Sequence, residues 1–273
     1  MLILGYSTPQ FKRSDPNFAA DVYGLMTIAT KYLVDTICSA VVRHLKEEWP
    51  QTLGELIRQK DDIQIKSASW ERYVDSNKYR TFPEPASAIR LATDFDIPEI
   101  LPIAYYVLST RDINRSSGYL RTLWHLLRRD ELLRYYQGKH KLMENITSVE
   151  RIYWPDNYSG YCTTVFEESD YDNEDFEGNS SECRKIIMRV RKQRSQCLAT
   201  FGFAYTTYAK ADPLGSLIQL LQDSFKWKLC SACSDETQSN IRYEMKSIWM
   251  CFPETFSLSK LGALFVFILV ENN

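Results

Sequence analysis

Cys230-Ser-Ala-Cys233 is the segment whose residue types and spacing come nearest to chemistry. Two thiols three residues apart can clasp a soft metal ion or cycle between dithiol and disulfide. A closed zinc site needs two further ligands. Cys183 and Cys197 are candidates, but were residues 183 to 201 one helix they would lie about 21 Å apart, from 14 steps of about 1.5 Å. At most one of them could join the pair, and a fourth ligand would have to come from Cys162, Cys251 or a histidine. The pair also falls where a helix begun by Asp212-Pro213 should be ending, and a helix C-terminus disfavours a thiolate. The expectation is therefore a pair of buried structural thiols around Cys230 and Cys233, with no metal and no cofactor; a small zinc-binding domain is the alternative.

Other chemistry is sparse. The three histidines, His44, His125 and His140, have no neighbouring Ser, Cys or acidic motif of the kind that activates a nucleophile. Glycine-rich phosphate loops, Gly-x-Ser-x-Gly and His-Glu-x-x-His are all missing from the sequence. We expect no catalytic residues and no enzyme. Arg184 to Arg194 carries six basic residues in eleven, which fits a nucleic-acid patch or an import signal. Ile186, Ile187 and Val190 interleave with those charges, however, and an acidic run precedes them, so a solvated helix face is expected instead.

The elements that must position these residues read as helices. Val34, Ile37, Cys38, Val41, Val42 and Leu45 recur at three- and four-residue steps and make one apolar stripe, closed by Trp49-Pro50. A preceding helix is predicted over 17–32. The same pattern returns 63 residues later: Ile28-Ala29-Thr30 aligns with Leu91-Ala92-Thr93, Tyr32 with Phe95, Val34 with Ile97, Ile37 with Ile100, Cys38 with Leu101 and Leu45 with Leu108. Both copies read as helix, tight turn, helix, with Asp96 a cap candidate and Pro98 in the first turn of the second copy's later helix. His44 aligns with Val107 and is placed off the stripe.

Weaker helical signals run from Glu55 to Tyr73, and two short helices are expected within 116–147. Residues 151–166, rich in Tyr, Gly and β-branched types, suggest a short hairpin. Residues 167–182 hold eight acidic residues in sixteen and read as a disordered acidic loop. Beyond Asp212-Pro213, Leu214, Leu217, Ile218, Leu221 and Phe225 share a face, and Ile241, Met245, Ile248, Trp249 and Phe252 form a last stripe before Pro253. The 258–273 tail includes an apolar run, Gly262 to Val270, half the length a spanning helix needs.

Composition agrees with a mainly α fold. Ten Gly and ten Pro in 273 residues leave few turn residues for an all-β or doubly wound chain. A net charge of −2 supplies no global field for nucleic acid or an anionic membrane. Seven scattered cysteines do not form a disulfide framework, and the Asn-x-Ser/Thr sequons at Asn114, Asn145, Asn157 and Asn179 follow no secretory leader. A cytoplasmic or nuclear location is the expectation.

The residues Leu25 to Tyr32 running into Ile37 to Leu53, then Ala88 to Tyr106, then Asp212-Pro-Leu, Leu229-Cys-x-x-Cys233 and Trp249 to Phe256, resemble the BTB/POZ-domain proteins of mushroom-forming fungi. The likeness covers most of residues 1 to 257. It implies a non-enzymatic protein–protein interaction module whose BTB domain is a small β-sheet wrapped by helices, ending in a helix pair and followed by a helical region. On that reading residues 1–49 match only the closing helices, 50–147 form a helical repeat region resembling a BACK domain, and 148–257 form a second helical part. The sheet, the dimer-forming helices and the cullin-facing segment have no counterpart, so protein partners are implied while homodimerisation and ligase recruitment are placed in doubt. If the first helices once packed under a sheet, Leu25, Ile28, Val34 and Val41 should be under-buried.

Overall fold

Proline, caps and apolar period account for where the helices begin and end. The structure, a computed structural model, describes residues 11–12, 15–70, 82–111, 122–149, 182–183, 185–187, 189–190 and 212–258. Those residues are mainly helical, and none of them is in a strand. The expected hairpin at 151–166, the acidic loop up to residue 181 and the tail beyond Leu258 lie outside them. No helix among the described residues is long and apolar enough to cross a membrane.

The chain divides into two compact units, Met1–Lys141 with Met250–Asn273, and Leu142–Trp249. In the first, α1 (Phe18–Lys31) and α2 (Asp35–Glu48) pack as a hairpin, α4 (Pro85–Asp94) and α5 (Leu101–Ser109) as another, and α1 also packs on α4. Between the hairpins runs α3 (Leu53–Trp70), whose start is a capping box: Glu55 N–H donates to Thr52 Oγ1 at 3.2 Å, and the Glu55 carboxylate accepts from Thr52 N–H at 3.2 Å. Trp49 is pushed into extended backbone by Pro50, which ends α2 as expected.

The turns of the two hairpins share two backbone bonds. Tyr32 N–H donates to Ile28 O and Val34 N–H to Ala29 O; 63 residues on, Phe95 N–H donates to Leu91 O and Ile97 N–H to Ala92 O. Leu33 and Asp96, again 63 apart, both adopt left-handed backbone, with φ of 54° and 53°. Asp96 is thus the reversal residue closing α4, and not the cap of the next helix as its acidic side chain suggested. Pro98 does stand in a first turn, that of the short 3-10 segment Pro98–Ile100 leading into α5.

Burial separates the hairpins. α1 buries Phe18, Ala19, Val22, Met26 and Ala29, and α2 buries Ala40, Val41, His44 and Leu45. Only Val41 and Leu45 of the expected α2 stripe are fully buried, while Val34, Ile37, Cys38 and Val42 are half-buried. Every residue of α5 is buried, so its stripe is a full cylinder. Tyr106 stacks on Phe252 with ring centroids 4.6 Å apart, and Tyr105 on Phe256 at 5.5 Å. Residues 250–257 belong with the first unit, whereas the sequence pattern had assigned them to the second helical part.

Of the span 116–147, residues 116–121 lie outside the described residues. From residue 122 on, one helix, α6 (Arg129–Val149), stands where two short ones were expected, preceded by a 3-10 turn at Trp124–Leu126. Gly138 does not interrupt it: a Cβ there would fall 2.0 Å from the Phe256 ring, so the glycine is a packing position. Glu131, fully buried in the first turn of α6, accepts from Arg128 N–H at 2.6 Å and from Arg90 Nη1 at 3.2 Å. Arg90 also pairs with Asp94, which accepts from Tyr23 Oη at 2.5 Å and from Arg128 Nη2 at 2.9 Å. α1, α4 and α6 are tied by this chain of ionic groups.

In the second unit α7 (Pro213–Ser224) starts as expected, with the Asp212 side chain accepting from Gly215 N–H at 2.9 Å and Pro213 in the first turn. It buries Leu214, Leu217, Ile218 and Leu221. The helix stops before Phe225, which is exposed and does not extend the face. α8 (Ser231–Thr255) continues through Pro253. It buries Ile241, Met245, Trp249 and Phe252 and leaves Ile248 half-buried.

Candidate functional site

The thiols come together at the start of α8. Cys230 O accepts from Ser234 N–H at 2.9 Å, the first bond of that helix, so Cys230 is its N-cap and Cys233 stands in its first turn. This reverses the sequence-based placement. α7 ended at Ser224, and the pair stands at a helix N-terminus, where the dipole favours a thiolate. The reason is the short turn at 225–227, which the apolar period of residues 214–225 did not signal.

Cys183 joins them from the helical stretch within 182–190. Cys230 N–H donates to Cys183 Sγ at 3.2 Å, and the three sulfurs all lie within 4.8 Å of one another. Cys183 and Cys233 are 0% and 1% exposed, which shuts water out on their side, while Cys230 is half-buried. All three are thiols with no disulfide among them. Of the two cysteines weighed as a third ligand, Cys183 is the one the fold selects, and Cys197 lies outside the described residues. Cys162 does too, and Cys251 is exposed and outside the cluster.

The histidines do not converge on that cluster. His44, placed off the stripe by its alignment with Val107, is in fact buried, with its ring edge on Phe18 at a centroid distance of 4.3 Å. It acts as a flat core residue there. His125 and His140 are exposed. In the basic stretch Lys185 and Arg189 face solvent one turn apart and Ile187 is buried. Lys185 Nζ pairs with Glu182 at 3.0 Å.

A second feature is apolar. Leu25, Ile28 and Tyr32 follow one another at three- and four-residue steps along α1 and its turn, and they are 36%, 59% and 67% exposed. Leu33, beside them in left-handed backbone, is 83% exposed. Of the four residues expected to be under-buried, Leu25 and Ile28 are exposed, Val34 is half-buried, and Val41 is fully buried in the α2 face. Monomeric proteins scatter large exposed apolar side chains singly, whereas here four stand within nine positions of the chain.

The ionic chain around Arg90 carries the clearest electrostatic signature and was not legible in the sequence. The hydrogen bond to Asp94 and burial raise the Tyr23 hydroxyl above its usual pKa. Burial and the nearby Glu131 carboxylate push Tyr105 up further. Each acidic group in it meets a guanidinium or a backbone N–H, which is the arrangement of a structural clamp. Comparison with protein-family models, with curated proteins and with solved structures finds no match to this chain.

Proposed function

We propose that this chain is a non-catalytic protein–protein interaction module of the BTB/POZ type, and that it meets its partner through the strip Leu25, Ile28, Tyr32 and Leu33. The strip supports this reading because α1 has two apolar faces. One is satisfied by α2 and α4, and the other presents leucine, isoleucine and tyrosine to water. Leaving such residues exposed forgoes about 25 cal/mol for each Å² of apolar surface that burial would remove from water. A partner offering an apolar groove or helix face would recover that term, and aromatic anchors such as Tyr32 concentrate it. Among the described residues, the Arg90–Glu131–Asp94 chain is internally paired and reads as a structural clamp.

A photo-crosslinking side chain at Ile28, installed in cells that express the protein, tests the proposal. A discrete protein adduct is expected at Ile28 and lost in the Leu25→Glu, Leu33→Glu variant, while the helical circular dichroism is unchanged. Adduct formation that is indifferent to those two substitutions, or crosslinking to no protein at all, would show that the strip is not a docking surface.

A further inference from the structure

We propose that Cys183, Cys230 and Cys233 bind one zinc ion through their three thiolates in the second unit. The sequence alone argued for inert thiols on two grounds, a helix C-terminus and the want of two further ligands. The fold removes the first and supplies one of the two ligands, Cys183. The cysteines come from two segments 47 residues apart, yet their sulfurs gather within 4.8 Å. Three sulfurs no more than 4.8 Å apart can hold an ion within about 2.8 Å of each, and zinc–thiolate bonds are about 2.3 Å. A closure of at most about half an ångström per sulfur therefore completes the bonds.

The surroundings favour the charged form of the ligands. Cys230 N–H already donates to the Cys183 sulfur, and such a bond stabilises a thiolate. The first turn of α8 adds the positive end of its dipole beside Cys230 and Cys233. Binding replaces three S–H protons by one Zn²⁺ and releases three protons, leaving a net charge of −1 that this N–H and the dipole offset. Iron–sulfur clusters take four cysteine ligands, and zinc accepts three with a water or a further ligand in the fourth position. Half-buried Cys230 marks the side from which that fourth ligand would approach.

The test uses the full chain, purified under reducing conditions without added metal. Metal analysis should give one zinc per chain, and X-ray absorption should show a sulfur shell at about 2.3 Å. Cys183→Ser and Cys233→Ser should each lose the ion, while Cys38→Ser and Cys251→Ser should keep it. Should the cluster variants fail to fold, the wild-type chain still decides: cobalt(II) should give sulfur-to-metal charge-transfer absorption that zinc abolishes. Three results would overturn the proposal. They are a reduced wild-type chain that takes up neither ion, zinc retained by the Cys183→Ser, Cys230→Ser double variant, and a mass lower by two hydrogens with Cys230 and Cys233 joined, which would make the pair a redox couple.

Discussion

The hairpins α1–α2 and α4–α5 share one turn and differ in nearly everything around it. Both close with the same 5→1 and 6→1 backbone bonds and the same left-handed residue, Leu33 in one and Asp96 in the other. Aligned positions nonetheless meet opposite surroundings. Ile28 is 59% exposed and its counterpart Leu91 is 0% exposed. The first hairpin is covered on one side, whereas the second is enclosed by α1, by the turn before α6 and by the aromatic residues at the end of α8. A local motif thus sets how a chain reverses, and only the neighbours decide which reversal becomes the core.

The largest expected difference is at those aligned positions. Leu91→Ala should cost about 2–5 kcal/mol by the cavity it leaves, while Ile28→Ala should stay within about 0.5 kcal/mol. Denaturant melts showing equal losses would mean that the hairpins are equivalent in solution. Arg90 and its aligned partner Thr27 sharpen the contrast electrostatically. Arg90→Ala leaves the buried Glu131 carboxylate without its guanidinium and should cost about 3 kcal/mol; Thr27→Ala removes one exposed bond to Tyr23 O and should be near neutral. Adding Glu131→Gln to Arg90→Ala should restore part of the loss, and a double-mutant cycle with no coupling would contradict the clamp.

Glycines give the next step down. Gly138→Ala drives a methyl into the Phe256 ring and should destabilise by about 1–3 kcal/mol despite the better helix propensity of alanine. Gly24, in the middle of α1, would place its Cβ in open space, so Gly24→Ala should stabilise by about 0.5–1 kcal/mol. Opposite signs in two thermal melts are the expected result. At the shared turn, Leu33→Gly should stabilise by about 1 kcal/mol because left-handed backbone strains a leucine, and Asp96→Gly should gain less because aspartate tolerates that region. Equal gains would show that the two turns are strained alike.

Alkaline stability separates the hairpins least. Both Tyr23 and Tyr105 have hydroxyls raised above the ordinary value of 10.0 in the folded chain. A raised folded pKa means the native state keeps its proton longer than the unfolded chain. The contribution is therefore whole below about pH 10 and is lost as pH rises through the folded values. Tyr105→Phe should flatten that decline more than Tyr23→Phe, since Tyr105 is the more deeply buried. A decline unaffected by either substitution would place its origin elsewhere.

Local grammar was legible in the sequence. The three- and four-residue spacing of apolar side chains, Pro50 ending α2, Asp212-Pro213 starting α7 and the 63-residue echo all appear in the fold, because each depends on residues within a few positions of one another. Thr52-Leu-Gly-Glu55 was a further local signal, a capping box announcing the strength of α3. Phe225 was misjudged because apolar period continues past a helix end, and the length of α6 was missed where Gly138 meets a packing partner 118 residues away, at Phe256.

Only the tertiary structure decided that α5 is enclosed, that Arg90 meets Glu131, and that Cys183 joins Cys230 and Cys233. Cysteine spacing within one segment reports a pair, but the third sulfur arrives from 47 positions earlier, and no local period encodes that approach. The physical reason is one of range. Helix propensity, caps and turns act over one or two turns of chain, whereas burial and ligand geometry depend on which faces pack together, a choice made by many weak contacts summed over the whole unit.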